Sequence, residues 1–77
     1  MYNEKKVIKI LDDLEVETYN STGIRHLNGG FANADVLDYD NDCIDVKLTW
    51  GVQNDCENTT HIEHYKIDLE TYTLQDA

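Results

Sequence analysis

The sequence predicts an α+β protein, in which one N-terminal amphipathic helix packs against an antiparallel meander sheet of three or four strands. Two patterns support this fold class: an apolar stripe at helical spacing near the N-terminus, and a later segment in which apolar and polar residues alternate. Packing the two apolar faces together hides both from water. A chain of 77 residues has room for one such core, so we expect a single compact domain over residues 1–77.

The first element is a helix predicted over residues 4–14. Four apolar residues recur at the spacing of one helical face: Val7, Ile8, Leu11 and Leu14. Asn3 precedes them and is a suitable N-cap. The stretch 15–27 carries a weak signal that is compatible with a loop, a short strand or both.

The strongest strand pattern lies in the middle of the chain. Apolar side chains occupy every second position from Ile44 to Val52, with mostly polar residues between them. This pattern is typical of a half-buried strand at the centre of a sheet. We expect a polar loop over residues 53–58 to follow it.

Weaker patterns complete the predicted sheet. The Asn-Gly-Gly sequence at residues 28–30 signals a tight turn before the first strand. Strict alternation along that strand predicts that Val36 and Tyr39 lie on opposite faces. Besides the central strand, strands are predicted at residues 31–39, 61–68 and 72–74.

The chain is strongly acidic, with 16 Asp and Glu residues against six Lys and Arg and a formal net charge of -10 at pH 7. Three of the bases but only one of the acids lie in the first nine positions, so residues 10–77 carry fifteen acids and three bases, a net charge of -12. Nucleic acids and anionic membranes repel such a protein. We therefore expect no direct nucleic-acid partner and no membrane, and a basic protein surface is the natural complement.

Aromatic residues are interleaved with the acids, and this mixture is typical of a protein-recognition surface. Carboxylates steer the encounter with a basic partner, while aromatic rings supply buried contacts. Carboxylates two residues apart on a strand lie about 6.6–7 Å apart on one face, a spacing that can follow successive phosphates of a nucleic-acid backbone. The candidate partner-binding residues are Asp38, Tyr39, Asp40, Asp42, Asp45, Glu63, Asp68, Glu70 and Tyr72.

The segment from Asp38 to Asp42 imitates the start of a calcium-binding loop. Cys43 stands where that loop requires glycine, and Thr49 stands where it requires a bidentate glutamate. A turn in which Asp and Asn side chains bond their own backbone is the better interpretation.

Four residues are of the types that ligate zinc: Cys43, Cys56, His61 and His64. The two histidines are three apart on a predicted strand and point to opposite faces, and the two cysteines flank a strand about 30 Å long. We expect both cysteines to be free thiols, with pKa values that the nearby acids raise. The sequence thus predicts no metal, no cofactor and no catalytic residue.

In its size, its acidity and its lack of a catalytic motif, the whole chain resembles the small acidic inhibitors that phages and mobile elements direct against bacterial nucleases. These include anti-CRISPR proteins, DNA-mimic anti-restriction proteins and uracil-glycosylase inhibitors. The resemblance implies stoichiometric, non-catalytic inhibition in the cytoplasm of a bacterial host, by occupation of a basic nucleic-acid-binding surface on an effector such as a CRISPR nuclease. The first acidic cluster implied in contact is Asp38, Asp40, Asp42 and Asp45.

The sequence leaves other functions open. An immunity-type protein that neutralises a basic toxin would use the same charge complementarity, and a small structural subunit of a phage or bacterial complex would owe its acidity to solubility. A metal-dependent enzyme or sensor is a more distant alternative. A homodimer is also compatible with the sequence.

Overall fold

The computed structural model describes residues 2–77, which form one α-helix, a short 3-10 helix and a four-stranded antiparallel sheet. The elements are α1 (Glu4–Ser21), the 3-10 helix (Ile24–His26), β1 (Gly30–Tyr39), β2 (Cys43–Gln53), β3 (Asn58–Asp68) and β4 (Leu74–Asp76). The strand order is β1-β2-β3-β4, so the predicted α+β fold with a meander sheet is confirmed. No helix in this part of the chain has the length and apolar character needed to cross a membrane.

Helix α1 continues well past its predicted end at Leu14. The buried face of the helix extends to Thr18. Because this core residue is polar, the apolar periodicity in the sequence stops before the helix does. Asn3 caps the helix as predicted, because its Oδ1 accepts a hydrogen bond from the Lys6 N–H at 3.2 Å. Gly23 follows the helix in the left-handed region, with φ at 78°, and ends it.

The core lies between α1 and one face of the sheet. Helix α1 packs mainly against β1, and β2 supplies most of the fully buried side chains. The innermost side chains are Ile44, Val46, Leu48 and Ile67. The predicted alternation of β2 is therefore confirmed, and its other face, with Asp45 and Lys47, lies away from α1.

A bulge in β1 reverses the predicted facing of the last residues of that strand. The pairing register with β2 shifts between Val36 and Asp38, which makes Leu37 the extra residue. After the shift, Tyr39 opposes the core residue Ile44 and lies on the same face as Val36. The prediction that these two residues lie on opposite faces is wrong, because strict alternation does not allow for an inserted residue.

The last strand lies later than predicted, at Leu74–Asp76 instead of residues 72–74. Tyr72 has a positive φ of 53° and belongs to the preceding turn, where its N–H donates to the Asp68 carbonyl at 2.7 Å. The Asp68 carboxylate accepts hydrogen bonds from two further backbone N–H groups of this turn. Because the turn extends through Tyr72, β4 begins only at Leu74. Strand β3 in turn begins earlier than predicted, at Asn58.

Candidate partner-binding surface

Two turns at one end of the sheet bring most of the predicted partner-binding residues together. Cys43 at the start of β2 pairs with Asp68 at the end of β3, so the β1–β2 turn and the β3–β4 turn are neighbours. The Leu69 N–H donates to the Asp42 carbonyl at 3.0 Å and links the two turns. We name this region the acidic end, and the predicted residues that it contains are Asp38, Tyr39, Asp40, Asp42, Asp68, Glu70 and Tyr72.

The carboxylates of Asp40 and Asp68 stabilise these two turns. Asp40 Oδ1 accepts the N–H of Asp42 at 2.8 Å and that of the following residue at 2.9 Å. Asp68 Oδ1 accepts the N–H of Glu70 at 2.7 Å and that of Thr71 at 3.1 Å. These backbone hydrogen bonds favour the charged form and lower the pKa of both carboxyls below the ordinary value of 3.8. Both carboxylates are therefore negatively charged at neutral pH.

The acids of the β1–β2 turn do not form the predicted row along a strand. Strand β1 ends at Tyr39, so Asp40 and Asp42 lie in the turn and not on one strand face. The hydrogen bonds of Asp40 match the backbone-bonded turn predicted as the alternative to a calcium loop. Across residues 2–77, no group of three or more His, Cys, Asp or Glu side chains is arranged to hold a metal ion.

A groove beside the two turns adds aromatic surface to the acidic end. It is lined by Tyr2, Glu4, Tyr39, Asp40, Asn41, Leu69 and Tyr72, and we name it the tyrosine groove. The rings of Tyr2 and Tyr39 meet edge to face, with centroids 5.7 Å apart. The Tyr72 hydroxyl accepts a hydrogen bond from the Asn3 N–H at 2.9 Å. Because Tyr39 is 64% exposed, the groove offers aromatic surface directly beside carboxylates.

Basic residues also reach the acidic end and reduce its net charge. The N-terminus of α1 lies here, and Lys6 Nζ is 5.0 Å from the centroid of the Tyr72 ring. Lys66 of β3 opposes Asp45 on the sheet face away from α1. The N-terminal lysines and the acids are thus separated along the chain but not in the fold.

Of the two remaining predicted residues, Asp45 adjoins the acidic end and Glu63 lies apart from it. Asp45 opposes Asp38 across the β1–β2 pair. Glu63 opposes Leu48, which is five positions along β2 from Cys43 and so about 16 Å from the acidic end at ~3.3 Å per residue. The structure therefore does not place Glu63 in the same surface.

Glu63 belongs to an aromatic cluster formed by β2 and β3. Its carboxylate accepts hydrogen bonds from Trp50 Nε1 at 2.6 Å and from the Tyr65 hydroxyl at 3.1 Å. The Trp50 ring stacks on His61, with centroids 4.3 Å apart and an interplanar angle of 22°. Burial and the hydrogen bond to Glu63 raise the pKa of Tyr65 above 10.0. The cross-strand register that assembles this cluster is not visible in the sequence.

The cysteines and histidines are placed as their spacing predicted. Cys43 and Cys56 are free thiols, and they flank β2 at its two ends. Partial burial and the neighbouring Asp40 raise the pKa of Cys43 above 9.0, so this thiol is protonated at neutral pH. His61 and His64 lie on opposite faces of β3, three residues apart in a regular strand.

Sequence reasoning missed four residues that line the tyrosine groove: Tyr2, Glu4, Asn41 and Leu69. The N-terminal segment reaches the groove through the hydrogen bond between Asn3 and Tyr72, two residues that are 69 positions apart. A contact over that separation leaves no local pattern in the sequence. Only the folded chain places the N-terminus beside the β3–β4 turn.

Comparisons of this chain with protein-family models, with curated proteins and with solved structures find no match. A function can therefore be inferred only from the geometry and charge of the chain, and from its resemblance in size and acidity to small phage inhibitors.

Proposed function

We propose that the protein is a non-catalytic binding protein whose acidic end docks on a basic, nucleic-acid-binding surface of another protein. The observation that carries the proposal is the meeting of two acidic turns and the tyrosine groove at one end of the molecule. The turns are distant in the sequence, and the antiparallel register of β2 and β3 makes them neighbours. Their carboxylates and rings then form one continuous surface.

Charge and aromatic area have separate roles in this proposal. The carboxylates accelerate the encounter with a basic partner and select its orientation. The exposed ring of Tyr39 and the rest of the tyrosine groove supply area that is desolvated in the complex. Asp40 and Asp68 are held by their backbone hydrogen bonds, so these two charges lose little conformational entropy on binding.

The proposed partner is a bacterial defence effector or nuclease, such as a CRISPR nuclease, with a nucleic-acid channel lined by Lys and Arg. The formal net charge of -10 and the resemblance to small phage inhibitors support this choice. In this role the protein acts stoichiometrically in the cytoplasm of a bacterial host and touches neither nucleic acid nor membrane. An immunity-type protein would use the same surface against a basic toxin, and the identity of the partner separates these two functions.

The first test is capture of the partner from a bacterial lysate on the immobilised protein at low ionic strength. We expect a nucleic-acid-binding protein, whose purified form loses affinity steeply between about 50 and about 300 mM NaCl. DNA or RNA should compete with the captured protein for it. Binding that ignores salt and nucleic acid would refute the proposal and favour a structural subunit.

Matched charge variants test whether the acidic end forms the contact. The test variant carries Asp38→Asn, Asp42→Asn and Glu70→Gln, which spare the two turn-stabilising carboxylates. The control variant carries Asp12→Asn, Glu17→Gln and Asp55→Asn, at exposed positions outside the acidic end. We expect at least about tenfold weaker binding for the test variant, or about 1.4 kcal/mol, and less than about twofold for the control. Equal losses would show that net charge alone drives binding, which would refute docking by the acidic end.

A further inference from the structure

We propose that the uncovered part of β3 pairs with the same segment of a second copy, which forms a two-fold dimer with one continuous sheet. The segment is Asn58–Ile62, and we name it the open edge. The dimer would join two four-stranded sheets. This surface is separate from the acidic end, and the proposal does not depend on the proposed function.

Strand β4 covers only the second half of β3. It pairs with Tyr65, Lys66 and Ile67, and the Ala77 N–H reaches the His64 carbonyl at 3.4 Å. Before His64, β3 pairs with β2 on one side, and in residues 2–77 no strand pairs with its other side. The open edge is therefore an unpaired strand edge.

Backbone groups of the open edge point outward at every second residue. The Asp68 N–H donates to the Thr73 carbonyl and the His64 carbonyl accepts from Ala77, so both residues direct their polar groups to the β4 side. In an antiparallel strand the N–H and C=O of one residue share a direction, which alternates from residue to residue. Thr60 and Ile62 therefore present their N–H and C=O groups to the open side. Unpaired groups of this kind are a template for another strand.

The other edge of the sheet is protected against such pairing. Glu15 of α1 places its carboxylate Oε2 at 2.7 Å from the Ala34 N–H, an outward group of β1. The bulge at Leu37 disturbs the same strand further. The open edge of β3 carries no Lys, Pro or Gly, the residues that commonly prevent an exposed strand edge from pairing with another chain.

A second copy is the occupant that the charge distribution favours. The open edge contains no Asp or Glu, although the chain of 77 residues has 16 of them. Two copies with a net charge of -10 each repel one another least where their meeting edges are uncharged. A basic strand would be attracted to the carboxylates of the acidic end instead.

Two-fold pairing of identical edges is isologous, and it sets outward-facing residues against outward-facing residues. With the axis at Thr60, the two Thr60 residues oppose each other and Asn58 of each copy opposes Ile62 of the other, which gives about six backbone hydrogen bonds. The Ile62 side chain, 55% exposed in one copy, then lies diagonally across from Thr60 of the other copy, on the same face of the joined sheet.

Sedimentation equilibrium of the full chain tests the dimer, over about 1–200 μM protein. We expect a species of twice 8.9 kDa at the upper concentrations. Ile62→Lys should weaken the dimer at least about tenfold, because it places a charge on the pairing edge. Leu37→Lys is the matched control on β1, since Leu37 and Ile62 are 53% and 55% exposed, and it should leave the dimer intact.

A monomeric wild type over the whole concentration range would overturn the proposal, as would an Ile62→Lys variant that dimerises normally. Hydrogen exchange of the wild type gives a second measurement that needs no variant. The amides of Thr60 and Ile62 should become protected as the protein concentration rises, while the exchange of amides in the β1–β2 turn, which lies outside the open edge, should not change with concentration. Unchanged exchange at both amides would equally overturn the dimer.

Salt distinguishes this proposal from the proposed function. Two acidic copies repel, so dimerisation should strengthen as NaCl screens their charge, whereas binding of the acidic end to a basic partner should weaken. An Ile62→Lys variant that is monomeric but still binds the partner would support both proposals as separate surfaces. A protein that stays monomeric at high salt and still binds the partner would overturn the dimer alone.

Discussion

Single carboxylates in this protein combine a structural role with their charge. Asp40 and Asp68 each cap a turn through two backbone N–H groups, and each has a folded pKa below the unfolded value of 3.8. A carboxyl with a lowered folded pKa contributes stability that is present above the unfolded pKa. That stability is lost as the pH falls through the folded pKa.

The Asp40→Asn variant tests this linkage, because an amide can accept a hydrogen bond but does not titrate in this range. We expect the variant to have a lower free energy of unfolding than the wild type at neutral pH, with a gap that closes as the pH falls below 3.8. Urea unfolding at several pH values measures the gap. Asp12→Asn, at an exposed position of α1, is the control and should not lower the stability at neutral pH. An Asp40→Asn gap that is constant down to low pH would contradict the role of the charge.

At the scale of elements, α1 has two contacts with the sheet that differ in kind. Its apolar face, with Val7 and Leu14, covers the core. Glu15 extends past the core to the edge of β1 and accepts the Ala34 N–H at 2.7 Å. This second contact satisfies a backbone donor and blocks an edge that could otherwise pair with another chain.

Removal of the Glu15 carboxylate should therefore destabilise the fold. We expect Glu15→Ala to lower the free energy of unfolding by about 1.5–3 kcal/mol, the range for hydrogen bonds to charged groups. Glu17→Ala, at an exposed position of the same helix, should change it by less than about 0.5 kcal/mol. Urea unfolding of both variants compares them directly. Equal effects of the two substitutions would mean that Glu15 contributes no more than an ordinary surface acid.

The whole molecule is elongated, with principal extents of 43 × 17 × 17 Å. The acidic end occupies one end of the sheet, and the open edge begins at the other end of β2. Sixteen acids on a body of this size repel one another, which opposes the compact state. Stability should therefore depend on ionic strength.

We expect the midpoint of thermal unfolding to rise between about 20 and about 500 mM NaCl, because salt screens the repulsion among the acids. The measurement is best made on the Ile62→Lys variant at low concentration, so that dimerisation does not contribute. Adding the control set Asp12→Asn, Glu17→Gln and Asp55→Asn should reduce the rise, since it lowers the net charge. A midpoint that falls with salt would show that attractive ion pairs outweigh the repulsion.

Sequence reasoning succeeded where a structural signal is contained in a few neighbouring residues. The alternation of β2 and the N-cap at Asn3 are of this kind, and both are present in the structure. It failed where one residue departs from a pattern. Thr18 occupies a core position of α1, and Leu37 forms a bulge in β1. The Asp68 carboxylate stabilises a turn, so β4 begins later than its sequence pattern predicts.

By itself, the sequence determined the α+β class, the order of the strands, the excess of acids and the separation of the two cysteines. These properties follow from composition and from patterns within one element. Only the tertiary structure decided which acids share a surface, that Glu63 is not among them, and which stretch of β3 has no neighbour. Those outcomes depend on the register between strands and on where β4 begins and ends, and hydrogen bonds between residues far apart in the chain set both.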